Sequence, residues 1–577
     1  MGKNSATRKL NSQLILVLGY LYLAIPMLIF TVFWMKAVYS VLLALIILYS
    51  LWNISKDTGR DYRREDYIVM DKKAVTVMVA ALIVIVLWVC MSGVGKLMFQ
   101  NSDHMTRNAI FEVLVNRDWP AIGRSDEDIP DNVYGLVYYI GFWLVPALFG
   151  KVFGIGAGFV FQAVWAVIGI SILFLLFCIF RKKIVLWPLL VFIFFGGLDI
   201  IGFFLAGHTG DEFTWYYHLD KWMQVQSEDE ISSFTTQLFW VFNQALPAWI
   251  LMMLLFMQKR NKYIAFIVGI SLISTVLPIV GMFPYIIYVM YRNIRDIKAK
   301  EGKYKLSDIF SVENILGGGV PGIINLIYML GNTWGEKFNQ IIRGLNIQKI
   351  ALLIVAIGAV VAIVVLIVLI YGKFISGTKA SAILPYALFV IGFIGAFIIF
   401  VFGDMFGIHI KTAELLGNNR LYRIYMYGVF YILEVGLYLI CIFWNSRKNP
   451  LFYIAALWIF VCPMIRIGKF SDFGMRATIP SLLVIYYLLI SSFERYYKDR
   501  KRILCIALAV IFLIGCPTAL FEMNRSVYKT GKRLNKGKPV YAETYEETKV
   551  FSSKNFRGKL DQSFFYKYIA KEQEIRE

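Results

Sequence analysis

Uninterrupted apolar runs of about twenty residues recur along the whole chain, and they constrain the fold more than any other feature. A helix needs roughly 20 such residues to cross the ~30 Å hydrocarbon layer, where every backbone polar group must be satisfied internally. The runs are continuous, not alternating, which excludes a β-barrel. Read as spans, they fall near 13–33, 37–52, 74–92, 157–180, 184–206, 235–257, 263–277, 279–291, 312–331, 350–372, 381–403, 424–444, 450–465, 477–493 and 503–521. The expected fold is an all-α integral membrane protein of about 13–15 transmembrane helices with surface helices beside them. The short segments between 263 and 291, punctuated by Pro278 and Pro284, can also form one kinked hairpin.

Composition agrees. Of 577 residues, 59% are hydrophobic and 17% charged, against about 25% charged in soluble domains. A soluble enzyme, a disordered chain and a disulfide scaffold are excluded. All six cysteines lie in apolar runs without C-x-x-C spacing, so they imply neither a disulfide framework nor a zinc site. The net charge of +21 fits basic cytoplasmic loops better than nucleic acid. Lys and Arg are about three times denser in one set of polar loops than in the other, which places the N-terminus inside a plasma (inner) membrane. That parity requires 133–153 to lie flat or re-entrant at the outer surface. The first span, preceded by Lys3, Arg8 and Lys9, reads as a retained anchor. The expected organisation is a multi-span domain over 1–522, with a first large extracytoplasmic loop at 93–156, and an extracytoplasmic tail over 523–577 that folds against the outer face.

Polar chemistry gathers in the outer loops. FQNSDHMTRNAIFEVLVNRDWP (99–120) follows a span and places Asp103 and His104 at the surface. A carboxylate there can act as a general base or ligate a divalent cation; the plain alternative is that Asp103 caps a helix over 104–115. GHTGDEFTWYYH (207–218) packs His208, Asp211, Glu212, Trp215 and His218 into one stretch, as a sugar site or as an interfacial aromatic belt. RIGKFSDFGMR (466–476) brings Arg466, Lys469 and Arg476 to the outer surface, with Asp472 placed to orient Arg476. These cations suit a lipid phosphate or simple headgroup contact. Asn243 and Gln244 sit in a span and need protein partners or a cavity. Asp199 and Glu434 are the clearest intramembrane acids, fewer than a pump or symporter usually shows. GGGVPG (317–322) reads as close helix packing or a broken span, not a phosphate loop. No P-loop and no H-E-x-x-H occurs.

This layout resembles the glycosyltransferase C (GT-C) superfamily, multi-span enzymes that use polyprenyl-phosphate sugars. The resemblance rests on Asp103 just after a span, on the Tyr-Tyr, Pro and Gly pattern of YYIGFWLVPALFGKVFG (138–154), similar to a surface segment of protein-mannosyltransferase-like members, and on DFGMRATIP (472–480). It implies a GT-C-like fold and transfer of a sugar from a polyprenyl-phosphate donor to a glycan or other cell-envelope acceptor. Asp103 would be the base. Asp211 and Glu212 would bind sugar, acceptor or a divalent cation (Mg or Mn), and Arg476 with Arg466 or Lys469 would neutralise the leaving phosphate. His104, His208, Trp215, Asn243, Gln244 and Asp472 complete the implied site. A surface-polysaccharide polymerase or ligase and a lipid-linked glycan flippase are the rivals.

Overall fold

The computed structural model describes residues 8–62, 68–126, 133–207, 214–223, 229–332, 409–410, 420–466 and 472–573. The expected spans at 350–372 and 381–403 lie outside them. Among the described residues, nine helical segments are long and apolar enough to cross a membrane. The chain is a multi-pass helical membrane protein.

The helices are α1 (Ser12–Trp34), α2 (Ala37–Asp61), α3 (Lys72–Met91), α4 (Asp103–Asn116), α5 (Gly141–Phe153), α6 (Ile155–Arg181), α7 (Trp187–Phe194), α8 (Asp199–Leu205), α9 (Phe234–Met257), α10 (Ile264–Ser271), α11 (Val276–Glu301) and α12 (Val320–Met329). Then follow α13 (Arg420–Tyr431), α14 (Leu437–Ser446), α15 (Pro450–Val461), α16 (Asp472–Ala477), α17 (Ile479–Lys498), α18 (Arg502–Leu534) and α19 (Glu547–Ser552). Their starts are written in side chains that satisfy orphan backbone donors. Asn11 accepts from Gln13 N at 2.9 Å, Asp71 from Ala74 N at 2.7 Å, and Ser233 from Thr236 N at 3.1 Å.

α9 is the central helix, with 94% of its apolar window buried, whereas α2 and α3 bury 28% and present Val38, Leu42, Leu45 and Leu82 outward. Inside a membrane the apolar exterior offers no competing water, so packing shape and polar contacts hold helices together, at about 0.6 kcal/mol for an average interhelical hydrogen bond. Thr235 of α9 does this twice, donating to the Ile193 carbonyl at 2.6 Å and accepting from Trp88 Nε1 at 3.1 Å. The glycine-rich patch at 317–322 packs closely, as expected: a Cβ on Gly318 would lie 2.2 Å from the Ala265 carbonyl oxygen of α10.

Three details differ from the sequence reading. The break within 263–291 falls at 272–275, so Pro278 sits in the first turn of α11, where a missing N–H costs nothing. The span expected at 184–206 is two helices, α7 and α8, joined by the non-helical residues 195–198. The division at 522 falls inside a helix, because α18 runs unbroken to Leu534.

Among the described residues, three short antiparallel sheets tie loops together. β1 (Arg8–Leu10) pairs with β2 (Ile68–Met70), and β5 (His409–Ile410) pairs with β6 (Ile465–Arg466). β3 (Ile122–Arg124), β4 (Val133–Leu136) and β7 (Arg557–Lys559) form one sheet, so the tail adds a strand to the loop that carries Asp103. The tail also reaches the first hairpin: Lys36 N donates to Ile569 O at 2.9 Å, and Lys571 N to Trp34 O at 3.0 Å. The segment 133–153 is thus a strand followed by the short apolar helix α5, packed among its neighbours.

Candidate functional site

The first turn of α4 carries the leading acid. Asp103 does not cap the helix. Its own N–H is held by Asn101 Oδ1 at 3.1 Å, and its carboxylate accepts from Arg107 Nη2, one turn on, at 3.0 Å. The Asp103 side chain is 47% exposed and that of Arg107 only 7%. The acid is thus presented to the exterior and backed by a buried guanidinium. Arg107 also lies over the Phe242 ring, 5.7 Å from its centroid.

His104 is fully buried and stacks on the same Phe242 ring at 5.5 Å. Gln100 Nε2 donates to His104 Nδ1 at 3.3 Å, and the opposite ring nitrogen meets the Phe239 carbonyl at 3.3 Å. That pattern needs one N–H and one lone pair, so the ring is neutral. Burial first, then Arg107, push its pKa down to about 3. Both nitrogens are engaged inside the protein, so His104 braces the loop.

Tyr138 and Tyr139 follow β4, and their hydroxyls are 2.6 Å apart. Burial pushes the Tyr138 phenol up, Tyr139 pushes the same way, and Arg107 and Arg476 both act on it electrostatically in the opposite sense. Arg476, in α16, is buried and held by the Asp472 carboxylate and by the Asp472 carbonyl at 3.1 Å. The fold therefore brings Arg107, which holds Asp103, and Arg476, which Asp472 holds, within electrostatic reach of one tyrosine, Tyr138. Sequence alone had placed these acids and arginines in separate loops.

Several buried donors of α4, α5, α9 and α16 have no partner. They are Arg107 Nη1, Arg476 Nε, Trp143 Nε1, Asn243 Nδ2 and Gln244 Nε2. Trp143 lies 6.1 Å from both Phe242 and Tyr138, and Asn243 is the next residue after Phe242. Buried donors in native proteins are normally satisfied, so a cluster of open ones fits a ligand rich in acceptor oxygens. Asn243 and Gln244 sit just past a distortion of α9 at Val241 (φ −138°, ψ 30°), which turns this stretch of the helix. Arg107, Tyr138, Tyr139 and Trp143 were missed as site residues. The i, i+4 spacing of Asp103 and Arg107 was the available signal for one of them.

The other expected residues lie apart or outside the description. His208, Asp211, Glu212 and Lys469 fall outside the described residues, and Arg466 is placed only through its backbone pairing with His409. Trp215 is 69% exposed and packs on Phe521 of α18 at 5.4 Å, in a second polar group. There His218 Nδ1 and Glu522 Oε1 are 2.6 Å apart, Trp240 Nε1 donates to Glu522 Oε2 at 3.0 Å, and Arg525 pairs with the same carboxylate. His218 stacks on Trp240 at 4.5 Å. His218, Asp220 and Glu522 offer ligand atoms within 4.8 Å of one another. Glu522 already serves three donors, however, and Asp220 holds Ser233 N at 2.9 Å and the Thr236 hydroxyl. An open cavity of about 520 Å³ lined by Lys96, Glu112, Phe159 and Tyr541 contains neither Asp103 nor Arg476, and its lysine is paired with Glu112 at 3.1 Å.

No family model matches the chain, and neither a curated protein nor a solved structure matches it.

Proposed function

We propose that the chain is a membrane glycosyltransferase of GT-C type that moves a sugar from a polyprenyl phosphate to a cell-envelope acceptor on the extracytoplasmic face. The observation that carries this reading is the convergence of two buried arginines on Tyr138, Arg107, which holds the half-exposed carboxylate of Asp103, and Arg476, with open hydrogen-bond donors on both arginines and on Trp143. Asp103 takes the proton of the acceptor hydroxyl. The freed oxygen attacks the anomeric carbon as its bond to the phosphate oxygen breaks, so the configuration inverts. The electron pair leaves on the polyprenyl phosphate, where Arg476 and Arg107 offset the growing negative charge. Asp472 fixes the Arg476 fork, and the Trp143, Asn243 and Gln244 donors suit sugar or phosphate oxygens.

The test uses the purified chain in lipid with a panel of polyprenyl-phosphate sugars, following release of free polyprenyl phosphate. Release that falls at least a hundredfold in Asp103→Asn and in Arg476→Ala supports the reading. Release unchanged by Asp103→Asn removes the base assignment. A second reading, transport of a lipid-linked glycan, gains from one observation: Asp199, Asp220, Glu434 and Glu522 are all fully buried, more enclosed charge than the sequence suggested. Absence of release with every donor, together with glycan crossing the same vesicles, would select it over the transferase.

A further inference from the structure

The broken span α7–α8 holds chemistry that sugar transfer does not use. Residues 195–198 leave the helix, and Asp199 opens α8 with 0% of its surface exposed. Opposite it, between α13 and α14, the widened turn Ile432–Gly436 carries Glu434, which is 1% exposed. Such wide turns disturb the regular ladder and recur at functional sites. The two elements are joined by the Leu198 N–H, which donates to the Leu433 carbonyl at 3.0 Å. The third wall is α18, packed so closely that a Cβ on Gly515 would lie 2.5 Å from the Gly196 carbonyl oxygen.

The oxygens and donors can be counted. Thr518 Oγ1 donates to Asp199 Oδ2 at 2.6 Å, and Trp222 Nε1 donates to Glu434 Oε1 at 3.1 Å. Asp199 Oδ1 and Glu434 Oε2 receive no donor, although both are sealed from the exterior. The two carboxyls are within hydrogen-bond reach of each other. A Cβ on residue 197 would stand 2.2 Å from Glu434 Oε2, so only glycine leaves that oxygen its place. Two ionised carboxylates in contact and sealed from the exterior are excluded by their repulsion and by the cost of burying each charge. One hydrogen placed between them satisfies both open oxygens and removes one of the two charges.

We propose that Asp199 and Glu434 form a proton-binding site inside the spanning bundle, with a single proton shared between the two carboxyls at neutral pH. The titratable groups that face the pair are Asp220 and His218 from the segment before α9 and Tyr438 from α14; behind them, Glu230 and Glu522 act on Asp220, Cys516 of α18 acts on Tyr438, and Arg525 is held by Glu522. Thr518 and Glu522 are four residues apart on α18, so one helical turn links the pair to the His218–Glu522 contact. Farther along the same helix, Thr530 Oγ1 accepts the Phe99 N–H at 2.8 Å, at the start of the loop that carries Asp103.

Infrared spectroscopy of the full chain in lipid tests the site without any glycan substrate, so its outcome is independent of the transferase reading. Wild type should show a protonated-carboxyl C=O band at neutral pH that shifts in D2O and on selective ¹³C labelling of aspartate and glutamate carboxyls. The labelling arm needs no variant and holds even where one fails to fold. Asp199→Asn and Glu434→Gln should each abolish the band, because the introduced amide donates to the remaining carboxylate. Absence of the band in wild type overturns the proposal, as does a band that survives both substitutions. Loss of the band when sodium chloride replaces choline chloride also overturns it, by making the occupant a metal cation.

Discussion

Arg107 reaches back one helical turn to hold Asp103, its guanidinium sunk against Phe242 while the carboxylate it grips remains half exposed. The pair separates two tasks. The arginine fixes position and charge from inside, and the acid meets whatever approaches. Removing either half has different consequences.

Asp103→Asn keeps an oxygen for Arg107 but loses the base. Polyprenyl-phosphate release should fall by about a hundredfold or more. Unfolding free energy should change by less than about 1 kcal/mol, because the acid is partly exposed. Arg107→Ala should cost more stability, since it strips the acid of its partner and opens packing against Phe242. Thermal melts run beside the activity assay separate the two; equal stability losses would contradict the division of roles.

Arg476 Nη1 donates to both the carboxylate and the carbonyl of Asp472, which leaves Nε of the planar guanidinium open. Arg476→Ala should lower turnover about a hundredfold. Arg476→Lys should recover little of it, because a point charge cannot hold that geometry. Full activity in the lysine variant would mean that charge alone matters there.

His104 makes stability depend on pH with a defined sign. The unfolded chain takes up a proton on this ring below about 6.5, whereas the folded chain resists until about 3. Stability that is complete above the upper value is therefore lost as pH falls through the window, by up to about 1.4 kcal/mol per pH unit for one proton. His104→Gln cannot take up that proton. Its unfolding free energy should fall less steeply with acid than that of wild type, measured by denaturant unfolding across the window. Parallel slopes would show that the ring is not held neutral.

The tail closes over the same loop. Tyr566 donates to the Leu136 carbonyl at 2.6 Å, and a Cβ on Gly135 would lie 2.1 Å from the Tyr566 ring. Gly135→Ala should release the tail, seen as faster proteolysis between 535 and 573 and faster hydrogen exchange in β7. Tyr566→Phe should cost about 1 kcal/mol without release, the worth of one hydrogen bond.

Period and length made the membrane helices legible. Apolar runs near 13–33, 157–180 and 235–257 correspond to α1, α6 and α9, because the hydrocarbon layer dictates their length. The split of α7 from α8 had one signal, the Gly196–Gly197 pair that weakens a helix inside an apolar run; packing against α18 and the bond to Leu433 then hold residues 195–198 out of the helix. Asp103 and Arg476 could each be singled out from residue type and position. Their shared neighbourhood could not, because it depends on Arg107 of α4 and Arg476 of α16 both reaching Tyr138 from segments far apart in the chain. Glu522 was hidden for a related reason. It lies at the end of an apolar run, where an acid normally reads as a solvated boundary, yet His218, Trp240 and Arg525 enclose it.

The sheet β3–β4–β7 and the bonds from Ile569 and Lys571 to the first hairpin have a bearing on biosynthesis. Chains emerge from the ribosome N-terminal part first, at about 5–20 residues per second. The loop bearing Asp103 is therefore made early but stays without its third strand until every later segment has been threaded. A chain halted anywhere before β7 therefore leaves the edge of β4 unpaired beside that loop.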